Sequence, residues 1–293
     1  MSRLGAALVL ASAVAFGVMP VFGKLAYDAG VTVSTLLLVR FAIAAPLLWA
    51  GVGLRRAVPR VSRGVLWRAL ALGGIGYATQ AGLYFAALSR MDASVLSLIL
   101  YGYPAMVTGA AILLRREPAS RRRLAALVTA SLGLVLVLAG SGGGDFDTVG
   151  ALMGFGASLA YTAYILVSDV VTEHLEPLPL AALVATGAVV TLGLVGLLTG
   201  SIDLGFAPEG WLWLALASLV STVSAILLFF SGMSRVGAST AAILSTLEPP
   251  VTVSLSFLAF GEALGAIQIL GALAVLGAAV IVNLPSRAPA VSG

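Results

Sequence analysis

Apolar runs long enough to cross a bilayer alternate with short polar stretches along almost the whole chain. Crossing the roughly 30 Å hydrocarbon core takes about 20 helical residues. Segments of that length lie at 4–26, 33–54, 67–88, 93–114, 121–140, 148–168, 179–199, 211–232, 238–259 and 264–284. The most polar connections are 55–63, 115–123, 141–147, 173–178 and 201–209. None is long enough for a separate soluble domain. The pattern predicts an all-α membrane protein of ten transmembrane helices. Arg3 and the small residues Ala11, Ala13 and Ala15 give the first run some likeness to a cleaved signal peptide. That run continues to residue 26 without a polar break and has a counterpart later in the chain, so it is expected to be retained.

Composition strengthens this picture. Of 293 residues 60% are hydrophobic and 10% charged, with a mean hydropathy of +1.10; a soluble domain carries about 25% charged residues. Lipid must therefore solvate most of the surface. A net charge of +4 is too small to suggest a nucleic-acid partner. The absence of cysteine excludes disulfides, thiolate metal sites and cysteine catalysis. The single histidine, His174, lies in a polar loop and leaves nothing from which to build a histidine metal site or triad. No cofactor is expected.

Where the charges fall matters more than their sum. Arg55, Arg56, Arg60, Arg63 and Arg68 flank the connection between the second and third runs. Arg115, Arg116, Arg121, Arg122 and Arg123 crowd the one between the fourth and fifth. Simple alternation puts Arg3, Arg235 and Arg287 on the same side, and basic residues near helix ends stay cytoplasmic. The opposite side has Arg90 as its only loop arginine, among Asp28, Asp92, Asp145, Asp147, Asp203, Glu209 and Glu262. Both termini are predicted to be cytoplasmic. Lys24 is the only lysine, a bias in keeping with a high-GC bacterial genome and hence a bacterial cytoplasmic membrane.

The chain also repeats itself. Pro104 and Pro249 stand 145 residues apart, and the same offset takes Ser89-Arg90 to Ser234-Arg235, Ala93-Ser94 to Ala238-Ser239, Glu117 to Glu262 and Ala15-Phe16 to Ala160-Tyr161. The expected organisation is a first five-helix repeat at 1–140, a linker at 141–147, a second repeat at 148–284 and a cytoplasmic tail at 285–293. Five is odd, so the second repeat enters the membrane inverted. Inverted repeats are a transporter signature, because two mirror-related halves can rock about a central site.

Charged groups at membrane depth are costly and usually face a cavity or a partner. Glu248 lies near the middle of the ninth run, directly before Pro249 and Pro250, too deep to snorkel. Arg40 lies about seven residues inside the second run, where a structural pair and a substrate contact are equally good readings. Lys24, near a helix end, is expected to snorkel. Pro249 and Pro250 deprive the Ser245 and Thr246 carbonyls of their helical donors, and Pro104 does the same to Leu100. Broken backbone at this depth is tolerated only where protein or a watery cavity satisfies it. Kinks are therefore expected at Pro104 and Pro249, with Pro20 and Pro46 as further candidates. Tyr77, Gln80 and Tyr84 share one helical face, and Tyr101, Tyr103, Tyr161 and Tyr164 add hydroxyls at depth. Tyr77, Gln80, Tyr84, Tyr101, Tyr161 and Glu248 are the candidate substrate-binding residues, a set suited to a small zwitterionic or amphipathic molecule. Trp67, Trp211 and Trp213 read as interfacial anchors, Gly150 and Gly154 as ordinary helix packing, and Gly140–Gly144 as a linker and not a phosphate cradle.

These residues resemble the drug/metabolite transporter superfamily, in particular its EamA-type ten-helix exporters. The resemblance rests on Ala15-Phe16-Gly17 with Lys24, on Arg40-Phe41, on Pro104 followed by Glu117, on Glu248-Pro249 followed by Glu262, and on Gln268, Gly271 and Gly277. Many relatives repeat the glutamate of the ninth helix in the fourth, where this chain has Tyr103, so one deep carboxylate replaces two. The resemblance implies export of amino acids or related small metabolites, closest to bacterial exporters of aromatic and threonine-like amino acids. An exporter of drugs or organic cations is the alternative, since a carboxylate among tyrosines suits a cation. A membrane-embedded enzyme is a distant third, lacking two mid-span carboxylates or a histidine. The expected partners are a small-molecule substrate and the lipid bilayer, and the helices are numerous enough for a self-sufficient monomer.

Overall fold

The computed structural model describes residues 2–55, 62–115, 119–140, 147–172 and 175–283. Glu117, Glu173, His174, the linker through residue 146 and the tail 285–293 lie outside the described residues. Among those described, every regular element is helical. Ten helical stretches follow one another: α1 (Arg3–Asp28), α2 (Val33–Leu54), α3 (63–88), α4 (Ala93–Leu113), α5 (Arg121–Gly140), α6 (Thr148–Thr172), α7 (Pro177–Thr199), α8 (Glu209–Val236), α9 (238–260) and α10 (Ala266–Asn283). Eight of them are long and apolar enough to cross a membrane. The exceptions are α10, which is apolar but shorter, and α3, whose Tyr77, Gln80, Tyr84 and glycines dilute its apolar character. By length and apolarity alone, then, the count stops short of ten, and the stretch richest in candidate site residues is one of those that fail.

The chain is a multi-pass membrane protein, and its surface is arranged for lipid. Val128, Leu132 and Val135 on α5, Leu194 and Leu198 on α7, and Leu270 and Leu273 on α10 point outward and are exposed. Arg40, Gln80, Ser158 and Thr222 are buried. That is the reverse of a water-soluble protein, whose charged residues are almost never fully buried unless paired. Trp67 and Trp211 are likewise exposed.

The main helix contacts join the first five stretches to the last five: α5 with α10, α2 with α7 and α8, α1 with α8 and α9, α3 with α6 and α7, and α4 with α6 and α9. Exchanging the two sets of five maps this contact pattern onto itself. Glycines set the closest approaches. A Cβ on Gly133 would stand 2.8 Å from the Gly271 carbonyl oxygen, and one on Gly187 only 2.1 Å from that of Leu70. Membrane helices gain most of their attraction from such close packing.

The prolines break helices where the backbone argument expects it. α4 is interrupted at Tyr101 and Gly102, α9 at Thr246 and Leu247, and α1 at Val18, with Pro104, Pro249 and Pro20 in the first turns that follow. Pro46 differs: it sits inside the uninterrupted helix of α2. Two of the stranded carbonyls find side-chain donors. Ser245 O accepts from the Tyr101 hydroxyl at 2.6 Å. Leu100 O accepts from Ser158 Oγ at 3.3 Å, and the neighbouring Ile99 O from the same hydroxyl at 2.8 Å.

Two further irregularities have no proline. Leu72–Tyr77 in α3 and Leu219–Ser224 in α8 are π-helical. Such widened turns occur mostly as single bulges and often at functional sites. Both supply residues to the site described next.

Candidate functional site

The helix breaks of α4 and α9 and the π-turns of α3 and α8 meet around one interior space. A cavity of about 110 Å³ is lined by Tyr77, Gln80, Tyr84, Tyr101, Tyr161 and Glu248, the six candidate residues, together with Arg40, Phe16, Met19 and Tyr103. A second hollow of about 320 Å³ adjoins it, sharing Phe16, Tyr77, Tyr101, Tyr103, Tyr161 and Glu248. Its remaining wall is mostly apolar, with Leu48, Leu180, Phe229 and Phe230. A third, of about 310 Å³, runs from Tyr101 and Tyr103 past Pro104 and Thr108 to Arg123.

Aromatic rings form a continuous chain along this space. Phe41 meets Tyr77 at 5.4 Å, Tyr77 meets Tyr164 at 5.6 Å, and Tyr164 stacks on Tyr161 at 5.9 Å. Tyr161 meets Tyr103 at 4.6 Å, and Tyr103 meets Tyr101 at 5.8 Å. Most are edge-to-face, the arrangement that ring quadrupoles favour. The chain ends on Glu248, whose Oε2 lies 3.1 Å from the Tyr101 hydroxyl. The backbone of Glu248 is pressed against α1: a Cβ on Gly17 would stand 2.8 Å from its carbonyl oxygen. Thr252 ties the same two helices by donating to Gly17 O at 2.8 Å.

Arg40 is fully buried, 1% exposed. Its Nε donates to Thr222 Oγ1 at 2.7 Å, and its guanidinium carbon lies 4.9 Å from the Phe41 ring and 5.5 Å from that of Phe85. No carboxylate among the described residues pairs with it. Thr222 belongs to the π-turn of α8 and itself donates to Ala217 O, five residues back. Sequence reasoning did not single out Thr222. The signal was present, since Ser218, Ser221 and Thr222 recur at helical spacing in an apolar run, and all three are buried.

Lys24 is paired at its helix end. Its Nζ contacts Glu262 Oε1 at 2.6 Å, with the two side chains only 20% and 6% exposed. Glu262 also accepts from Ala93 N, Ser94 N and Ser94 Oγ at 2.9–3.2 Å, capping the first turn of α4. Asp92 stands 3.9 Å from the same Lys24. Burial, and then the Glu262 charge, pushes the Asp92 carboxyl above its ordinary value, with Lys24 opposing. Nearby, Arg90 pairs with Asp147 at 2.8 Å. The Gly150 amide, then Arg90, holds the Asp147 carboxyl below its ordinary value. The α1–α2 and α7–α8 connections are joined at this end too, through Thr32 to Ser201 O and Thr35 to Asp203 O. The Lys24 end therefore carries polar links between the two sets of five helices. The hollows run the other way, toward Pro177 and Arg123.

Apolar helices enclosing a charged, tyrosine-lined hollow at the junction of two halves are the build of a membrane transporter. Residues 3–139 and 148–284 each match the EamA-like transporter family, and the chain belongs to that family. It is 29% identical over 275 residues to the uncharacterized transporter YcbK of Bacillus subtilis strain 168, covering 91% of this chain and 88% of the relative. It is 28% identical over 205 residues to the uncharacterized transporter YwfM of the same organism, covering 68% and 67%. A solved crystal structure, 20% identical and aligned over 96% of both chains, shares the fold with a TM-score of 0.64.

Proposed function

We propose that the protein exports amino acids or related small metabolites across the bacterial cytoplasmic membrane by alternating access. In this reading all ten helical stretches span the bilayer, the repeats are inverted, and both termini face the cytoplasm. The arginine end is then cytoplasmic and the Lys24 end external. The observation that carries the reading is the cavity at the junction of the two halves, with Glu248, Gln80 and four tyrosines on its wall. Its hollows reach toward the side from which an exporter loads. Substrate binds there, near the midplane, and α3–α4 and α8–α9 move about the breaks at Pro104 and Pro249 to expose the site to each side in turn.

A substrate panel in proteoliposomes, with and without a pH gradient, tests this. Amino acids should be carried. Organic cations carried without amino acids would replace the reading by the cation-exporter alternative, which Glu248 among tyrosines supports. Topology is tested separately. The chain has no native cysteine, so single cysteines at Ser62 and Ser201 should react with impermeant reagent from the cytoplasmic and external faces respectively.

A further inference from the structure

We infer that Arg40 and Glu248 are the two poles of a zwitterion-binding subsite, Arg40 taking a carboxylate and Glu248 an ammonium. The inference rests on the transport reading above and narrows it. Both residues line the 110 Å³ cavity, yet no ion pair joins them. Beyond the Phe41 and Phe85 rings, Arg40 is held by its Nε, and its terminal nitrogens have no hydrogen-bond partner among the described residues. Glu248 is in the same state: Tyr101 reaches Oε2, and Oε1 has no partner among the described residues.

A guanidinium stays charged in proteins, and a bare charge at membrane depth is strongly unfavourable. Its planar fork matches a carboxylate with two parallel hydrogen bonds. Two opposite charges left unsatisfied on one small cavity are arranged for a ligand that carries both complements. An organic cation would satisfy Glu248 but bring a positive charge into the space that Arg40 faces. A simple anion would do the reverse. The cavity has room for an amine and a carboxylate on one carbon, and the adjoining 320 Å³ hollow, walled by Leu48, Leu180, Phe229 and Phe230, takes an apolar side chain. The substrate class is a neutral amino acid with a large apolar side chain.

The test is binding by the purified full chain in detergent, measured by calorimetry with phenylalanine, its methyl ester and its N-acetyl derivative. Free phenylalanine should bind about ten- to a hundred-fold more tightly than either blocked form, the range for one charge-assisted hydrogen-bonded contact. Arg40→Gln should abolish the preference over the ester and keep that over the N-acetyl form, Glu248→Gln should do the opposite, and Arg40→Lys should recover part of the loss. Equal binding of ester and free amino acid by the wild-type protein overturns the subsite, whether or not the variants fold, and leaves the transport reading intact if the liposome panel is carried. If no amino acid is bound and none is carried, both fall.

Discussion

The breaks in α4 and α9 stand at equivalent places in the two halves, and they solve the same backbone problem with different chemistry. In α4 the stranded Leu100 carbonyl is met by a serine from α6, and the residue before the proline is Tyr103. Tyr103 makes ring contacts on both sides, and its hydroxyl has no hydrogen-bond partner among the described residues. In α9 the stranded Ser245 carbonyl is met by Tyr101, which also reaches Glu248, the residue before that proline. One break is satisfied by a hydroxyl that meets only backbone carbonyls. The other is satisfied by a group that also positions the deep carboxylate. Each half carries such a break, and the deep carboxylate stands at only one of them.

Removing the charge from the α9 break should have the largest effect. Glu248→Gln keeps the shape and the contact with Tyr101, but it loses the only carboxylate that the described residues place on the cavity wall. Efflux from loaded proteoliposomes should fall by about ten- to a hundred-fold, the worth of a charge-assisted contact. Export at the wild-type rate at every external pH would remove Glu248 from the mechanism.

Moving the charge to the other break asks whether the two are interchangeable. The double variant Tyr103→Glu with Glu248→Gln should stay near the low rate of Glu248→Gln. The relocated carboxylate would lack the hydroxyl donor that Tyr101 gives Glu248, and the ring contacts from Tyr103 to Tyr101 and Tyr161 would be lost. Recovery to more than half the wild-type rate would mean that position along the scaffold is irrelevant and that the asymmetry is historical.

Both breaks were legible because a proline removes a specific donor from a specific carbonyl, wherever the helix packs. The six candidate residues were legible for a related reason: polar side chains at helical spacing in an apolar run must face inward or be unstable in lipid. Partners were not. Ser158, Thr222 and Glu262 each bond to a group 58 or more residues away in sequence, and no local pattern encodes which helix will face which. The partner of Lys24 was hidden for that reason, Glu262 standing 238 residues away in sequence. The π-turns were hidden as well, one in a glycine-rich stretch and the other in a serine- and threonine-rich one, compositions equally at home in regular membrane helices. Pro46 shows the limit of the argument: its missing donor does not end α2, whose helix continues through it.

The satisfying groups themselves give the two smaller effects. Tyr101→Phe removes the donor from a buried carbonyl and from Glu248 together, so the protein should lose about 1–3 kcal/mol of stability and efflux should drop severalfold. A variant that loses stability in detergent melting but transports normally would show that Tyr101 serves the backbone alone.

Ser158→Ala is the matching change at the α4 break and should be the mildest. It strips one hydroxyl from Ile99 O and Leu100 O. The Ile99 carbonyl keeps a backbone donor, the Gly102 amide at 3.2 Å, so Leu100 alone bears the full loss. A destabilisation of about 1 kcal/mol is expected, with efflux nearly unchanged, because Ser158 does not line the cavity. Melting curves and efflux on the same preparation of both variants put numbers on the contrast. If Ser158→Ala slows transport as much as Tyr101→Phe, the α4 break contributes to transport as fully as its twin, and the division of labour between the halves is wrong.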